Sequence, residues 1–460
     1  MEEEGRLIVV SNRIPTEAAP SGGLVVALHD ALKERGGVWI GNSGKRVYPE
    51  EAAHGLTQIA KTPYERYSFD LTEEEHQGFY LGYANATLWP LFHHRTDLLA
   101  VDPDQARVYR EVNDRVAGLI AEVVQPGDVI WVHDYHFLPL AEALRKRGVM
   151  NRIGFFLHIP FPNPSDMPAL PERKQMPGWL SSFDLIGLQT RRDVSNALDF
   201  LRDNGAEILL RGKMKYQDRT FEIASFPIGI DVDGFVEAAE AHADSGEHLR
   251  LSPGERLVLG VDRLDYSKGL PQRFAAFGEY LSHRPDPQIR ATLLQIAPPS
   301  REDVEAYKDI RQELETITGR VNGEMAELDW TPIRYIRRNI EREILAGLYR
   351  RGDACLVTPL ADGMNLVAKE FVAAQDGADP GVLILSHFAG AAEQMEAALM
   401  VNPYDPGETA RAIEQALSMP LHERQSRHLS LMQSIRETDI TWWTRTYLAA
   451  LQQKAPVAAN

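Results

Sequence analysis

The sequence predicts an α/β fold with two successive doubly wound parallel sheets, and three observations carry that prediction. Short continuous apolar runs such as "RLIVVSN", "GDVIWVHD" and "RIGFFLHI" read as strands buried on both faces, which is what parallel sheets require. Segments of helical period, "LVVALHDALKERGG" and "LPLAEALRKRG" among them, separate those runs. The chain of 460 residues also exceeds what one core ordinarily serves, and a second strand–helix series opens near residue 255.

Taken in order, "FDLIGLQT" and "FEIASFPIGI" continue the first series. "ERLVLGVDR", "RATLLQIAP", "DACLVTPL" and "GVLILSHF" supply strands of the second. The stretch "GIDVDGFVEAAEAHADSGEHLRLSPGE" lies between them and is read as a hinge region. The tail, "TDITWWTRTYLAALQQK", is an aromatic-rich helix expected to pack on the first domain. No internal repeat or low-complexity segment interrupts the pattern.

Composition narrows the function. The hydrophobic fraction of 44% and charged fraction of 25% fit a soluble globular protein. A net charge of −17 argues against general nucleic-acid binding, yet leaves room for a small anion held by a few placed arginines. The single cysteine, Cys355, excludes an internal disulfide framework, and its buried-strand setting reads as inert packing. "MEEEGRLIVVSNR" is acidic and enters a strand at once, so it is read as no signal peptide. No apolar run approaches the roughly eighteen residues needed to span a bilayer. The expected location is the cytoplasm, with no membrane partner.

Four stretches carry candidate chemistry. In "SNRIPTEAAPSGGLVVALHD", a strand ends at Ser11, Arg13 follows, and Gly22-Gly23 opens a helix, whose free amides and dipole suit a phosphate. Alone, that pattern reads first as a turn, and Arg13 is what favours the phosphate. In "VIWVHDYHFLP", Asp134 stands at a strand's carboxyl end, where helix capping is the plain alternative. In "GVDRLDYSKG", Arg263 and Lys268 share one loop and can neutralise a diphosphate, unless they form only a solvated basic loop. In "LVTPLADGMNLVAKEF", Asp362-Gly363 makes a turn and a helix begins near Asn365, with Glu370 further along it. His158, in "FFLHIPFPNPSD", sits where a buried strand meets a proline-stiffened loop, either a satisfied core histidine or a catalytic edge. The Asp-x-Asp patterns at 102–104 and 231–233 read as helix caps or solvent-facing residues, and no Walker-type phosphate loop is present.

The ordered set "SNR", "GGL", "LWP", "HDYH", "FFLHIPFP", "RLDYSKG", "WTP", "DGMNLVAKE" and "GVLILSHFAGAAEQM" resembles the trehalose-6-phosphate synthase family of retaining glycosyltransferases, from about residue 6 to 450. The resemblance implies two Rossmann-like domains facing across a cleft (GT-B type). An acceptor-binding domain would span residues 1–230, a nucleotide-sugar domain 231–440, and a returning helix 441–460. It implies transfer of glucose from a nucleotide-glucose, UDP or GDP form, to glucose 6-phosphate, with no cofactor and no metal. A homo-oligomer is compatible with it.

Carried over by motif, the donor side comprises Gly22 and Gly23, the diphosphate pair Arg263 and Lys268, and the glucose-holding carboxylate Asp362. It also includes Gly363, Met364, Asn365, Leu366 and Val367, with Glu370 as ribose ligand. His158 would stand beside the anomeric carbon. On the acceptor side, Asp134 matches the sugar carboxylate, Arg13, Tyr80 and Arg301 match phosphate contacts, and Trp89 matches an aromatic lining the sugar pocket.

Three departures touch the acceptor. "GNSG" puts Asn42 where the family usually has tryptophan, "LADG" puts Ala361 where a basic residue is common, and Pro177-Gly178 should break or shorten a helix. They motivate an alternative acceptor, such as a cyclitol amine phosphate or glycerol 3-phosphate. A catalytically silent sugar-phosphate-binding subunit is a further alternative, against which the full set of charge-stabilising residues speaks.

Overall fold

The computed structural model describes residues 5–15, 23–52, 55–284, 289–301 and 304–452. The chain divides into two compact units, Met1–Pro227 with Thr441–Asn460, and Ile228–Ile440.

Unit 1 is built on strands β1 (Leu7–Arg13), β2 (Gly37–Val47), β3 (Thr57–Ala60), β4 (Glu65–Thr72), β5 (Val129–His133), β6 (Arg152–Phe156), β7 (Leu185–Leu188), β8 (Glu207–Ile208), β9 (Lys213–Tyr216) and β10 (Arg219–Ser225). Their order across the sheet is β3-β4-β2-β1-β5-β6-β7-β10-β9-β8. The central strands run parallel, and the antiparallel pairings are confined to β3, β8 and β9 at the edges. β1, β5 and β6 are apolar and buried throughout their middle, as strands covered on both faces must be. The helix Ile440–Gln452 belongs to this unit from Thr441 onward. Its Tyr447 ring lies 4.6 Å from Trp131 and its hydroxyl donates to the Phe155 carbonyl at 3.0 Å.

Unit 2 holds β11 (Arg256–Val261), β12 (Ala291–Ile296), β13 (Ile333–Ile336), β14 (Ala354–Val357), β15 (Val382–Ser386) and β16 (Leu399–Val401). The order is β13-β12-β11-β14-β15-β16, all parallel. The reversal between β11 and β14 is the switch point beyond which open α/β sheets bind ligands. Cys355, in β14, is fully buried, and burial pushes its thiol pKa up, consistent with inert packing.

Two sequence expectations meet local structure here. The stretch read as a hinge contains a helix, Val232–Ala241, started by Asp231, whose carboxylate accepts from Gly234 N at 3.0 Å. The apolar spacing of Val232, Phe235 and Ala239 buries one face of that helix, so this part of the stretch is packed structure. Pro177 falls in the first turn of a five-residue helix, Met176–Leu180, where its missing N–H costs nothing.

Candidate functional site

In unit 2, three sequence-predicted residues converge beyond the strand ends. β11 ends at Val261 and leads through Arg263 to Lys268, while β14 ends at Val357 and leads to Asp362. Lys268 Nζ lies 2.5 Å from Asp362 Oδ2, and both side chains are 12% exposed. Asn365 Nδ2 donates to the same carboxylate oxygen at 3.0 Å, while Asn365 Oδ1 caps the helix Leu366–Ala374. Asn365 holds φ +78°, a backbone state asparagine tolerates better than most residues. Gly363 and Met364 are buried in this turn, and Leu366 and Val367 form the half-buried first turn of the helix. Arg263 is exposed in its loop. Glu370 lies further along the helix, where burial pushes its carboxyl up to about 7 against the pull of Arg342.

Beneath this turn lies a buried polar layer. Arg273, wholly buried, donates to Asp262 at 2.7 Å, Gln295 at 2.9 Å and Thr358 at 3.0 Å. Burial raises the pKa of Asp262, and Arg273 draws it back down. Asn365 reaches Asp262 at 3.5 Å, so the layer connects to Asp362 through one side chain.

In unit 1, Asp134 and His158 come together. Asp134 follows β5 with φ +73°, and its side chain caps no helix. Its carboxylate instead accepts the backbone N–H of His158 at 3.3 Å, and its own N–H donates to Phe156 O at 2.8 Å. The plain capping alternative therefore fails for Asp134. His158 is half-buried among aromatic rings, and burial pushes its pKa down to about 3, so the ring is neutral. Tyr80 stacks on His136 with ring centroids 5.9 Å apart. Trp89 is only 4% exposed, its ring 4.1 Å from His93 and 5.7 Å from Tyr135.

Arg13 ends β1 exposed, with its guanidinium over Gly44, where an added Cβ would sit 1.5 Å from Nη1. Asn42, 5% exposed, accepts from Gly44 N at 2.7 Å, so its oxygen closes its own turn. Arg301 lies in unit 2 and pairs with Asp265 at 3.2 Å and Tyr307 at 2.6 Å. Gly23 begins the helix Gly23–Arg35, and Gly22 lies outside the described residues. Asp102 and Asp231 cap helices. No group of three or more His, Cys, Asp or Glu side chains suited to a metal ion occurs among the described residues.

His133, Asp262, Arg273, Asp265 and Tyr307 support these groups and were missed by sequence reasoning. Only His133 had a local signal, its place beside Asp134 at a strand end.

Two doubly wound units with cations and carboxylates gathered beyond their strand ends are the build of a two-Rossmann-domain glycosyltransferase. The chain belongs to glycosyltransferase family 20, whose family model matches residues 6–453. It is 44% identical over 460 residues to the trehalose-6-phosphate synthase of Enterobacter sp. (strain 638), covering 98% of this chain and 96% of that one. Among solved structures it resembles a UDP-forming alpha,alpha-trehalose-phosphate synthase from Burkholderia xenovorans in complex with glucose-6-phosphate, at TM-score 0.92 and 44% identity, covering 97% of this chain and 100% of that one. It also resembles an E. coli structure bound with UDP-2-fluoro glucose, at TM-score 0.93 and 42% identity, covering 98% and 100%.

Proposed function

We propose that this protein transfers glucose from UDP-glucose to glucose 6-phosphate with retention, giving trehalose 6-phosphate. The observation that carries the reading is the Lys268–Asp362–Asn365 cluster at the open start of the helix Leu366–Ala374. A carboxylate there can accept sugar hydroxyls, while the adjacent ammonium and the helix amides meet a diphosphate. The relatives bound to UDP-2-fluoro glucose and glucose-6-phosphate support the choice of donor and acceptor.

In this reading the bond from the donor's anomeric carbon to the phosphate oxygen lengthens first, leaving oxocarbenium character on the sugar. The acceptor's anomeric hydroxyl attacks from the same face, and its proton passes to the departing phosphate oxygen. Arg263 and Lys268 stabilise the charge that develops there, in the role a metal ion has elsewhere. Asp134 and His158 position the sugars, and Arg13, Tyr80 and Arg301 take the acceptor phosphate, with Trp89 beside the sugar. Gly22 and Gly23 approach the donor phosphates, and Glu370 takes the ribose. We assign unit 1 chiefly to the acceptor and unit 2 chiefly to the donor. No helix among the described residues is long and apolar enough to cross a membrane, and we place the reaction in the cytoplasm.

The test is incubation with UDP-, GDP- or ADP-glucose and glucose 6-phosphate, with and without a chelator. Disaccharide phosphate with UDP-glucose, undiminished by the chelator, is expected. Absence of product with every donor contradicts the transfer reading, and loss of product on chelation contradicts the metal-free one. The buried, inward-bonded Asn42 favours one second reading, a different phosphorylated acceptor, and preference for glucose 6-phosphate in an acceptor panel rejects it.

A further inference from the structure

The end of β5 and the residue two beyond β6 hold their histidines nitrogen to nitrogen. His133 Nδ1 lies 3.0 Å from His158 Nε2, with the rings 5.3 Å apart and 23° from parallel. His133 is 1% exposed, and its other nitrogen, Nε2, is buried with no hydrogen-bond partner among the described residues. Around it stand the rings of Trp131, Trp443 and Phe156 at 4.6, 6.4 and 6.5 Å. The Trp443 indole N–H is itself buried and without an acceptor among the described residues, so this wall lacks acceptors more than donors.

Burial holds both imidazoles neutral, and a neutral imidazole has one N–H and one lone pair. Two arrangements fit the contact. If His158 donated from Nε2, His133 would carry its proton on Nε2 and bury an orphan N–H. If His133 donates from Nδ1, only a lone pair is left unused. Orphaned buried N–H groups are the rarer of the two in folded proteins.

We propose that His133 is a positioning residue that fixes His158 as the Nδ1–H tautomer. His158 then meets the reaction as a neutral hydrogen-bond donor to a sugar oxygen, its Nε2 lone pair already engaged, and does not act as a base. The inference rests on the reading of His158 at the reacting edge. The backbone explains how adjacent residues can share this task. Successive side chains in a strand point to opposite faces, and the φ of +73° at Asp134 breaks that alternation. His133 thereby holds the His158 ring while Asp134 holds its backbone N–H.

The test combines nitrogen-15 NMR of histidine-labelled protein with kinetics. The His158 signal is identified by its loss in His158→Asn. In the unsubstituted enzyme the proton should reside on Nδ1, a result that needs no variant of His133 to fold. His133→Phe should lower kcat roughly tenfold, the scale of one hydrogen bond, with both KM values little changed. His133→Asn, whose amide N–H can reach the Nδ1 position, should recover most of that loss. A His158 proton found on Nε2, or an unchanged kcat in His133→Phe, overturns the inference. Full turnover in His158→Ala would overturn the underlying site reading instead, whichever tautomer the spectrum shows.

Discussion

The two candidate regions handle charge in opposite ways. The unit 1 edge around His158 is aromatic and carries a single carboxylate: His158 and His133 are both uncharged, walled by Trp131, Phe156 and Trp443, and Asp134 is bonded to a backbone N–H. The unit 2 edge is ionic throughout, running from Lys268 through Asp362 and Asn365 to Asp262 and Arg273. The contrast fits the proposed split of work. Charge that develops during transfer is best met by fixed, partly desolvated cations, and a sugar is best oriented by neutral hydrogen bonds on an apolar wall.

The largest expected effect breaks the ionic region from below. Arg273→Ala strands the Asp262 carboxylate in a buried site, and by analogy with other broken buried pairs should cost about 3–5 kcal/mol of stability. Denaturant unfolding reads it. Next, Lys268→Met should lower kcat by roughly two to three powers of ten, because it removes one proposed stabiliser of the leaving group. Steady-state kinetics at saturating donor and acceptor measure this.

A smaller effect sharpens the comparison through pH. The carboxyl of Glu370, raised to about 7 by burial, is largely protonated in the free protein below that value. In the proposed ribose role the ionised form accepts the sugar hydroxyls, so donor KM should fall as pH rises from about 6 to about 8. Glu370→Gln should flatten that dependence. The same shift affects folding with the opposite sense. The native carboxyl retains a proton that the unfolded chain has released, so this contribution to stability is complete below the ordinary glutamate range and is lost as pH rises through about 7. The smallest effect concerns the acceptor side. Asn42→Ala loses the bond to Gly44 N and should raise acceptor KM about fivefold, the scale of one hydrogen bond.

How much was legible depends on the range of the interaction. β1, β5, β11 and β14 announce themselves as apolar runs because both faces are buried, and burial of that kind is a local property of sequence. The helix Val232–Ala241 carried its own signals, an Asp231 cap and a periodic apolar face, but the glycines and charges around it read as a hinge. The edge strands β3 and β8 are short and exposed, so no apolar run marks them. Lys268 and Asp362 were legible through motif alone, and their pairing across ninety-four residues was not. Arg273 is an arginine in an ordinary helix until Asp262, Gln295 and Thr358 surround it. His133 likewise gains its meaning only from His158, on a neighbouring strand's end.

The central claim is that the cations beyond β11 act on the leaving group and that Arg301 acts on the acceptor. A paired measurement of kcat and acceptor KM in Arg263→Ala and Arg301→Ala tests it most directly. Arg263→Ala should lower kcat by roughly two to three powers of ten and leave acceptor KM nearly unchanged, whereas Arg301→Ala should chiefly raise acceptor KM. Weakened acceptor binding with intact kcat in Arg263→Ala would contradict the division of labour between the cations beyond β11 and Arg301.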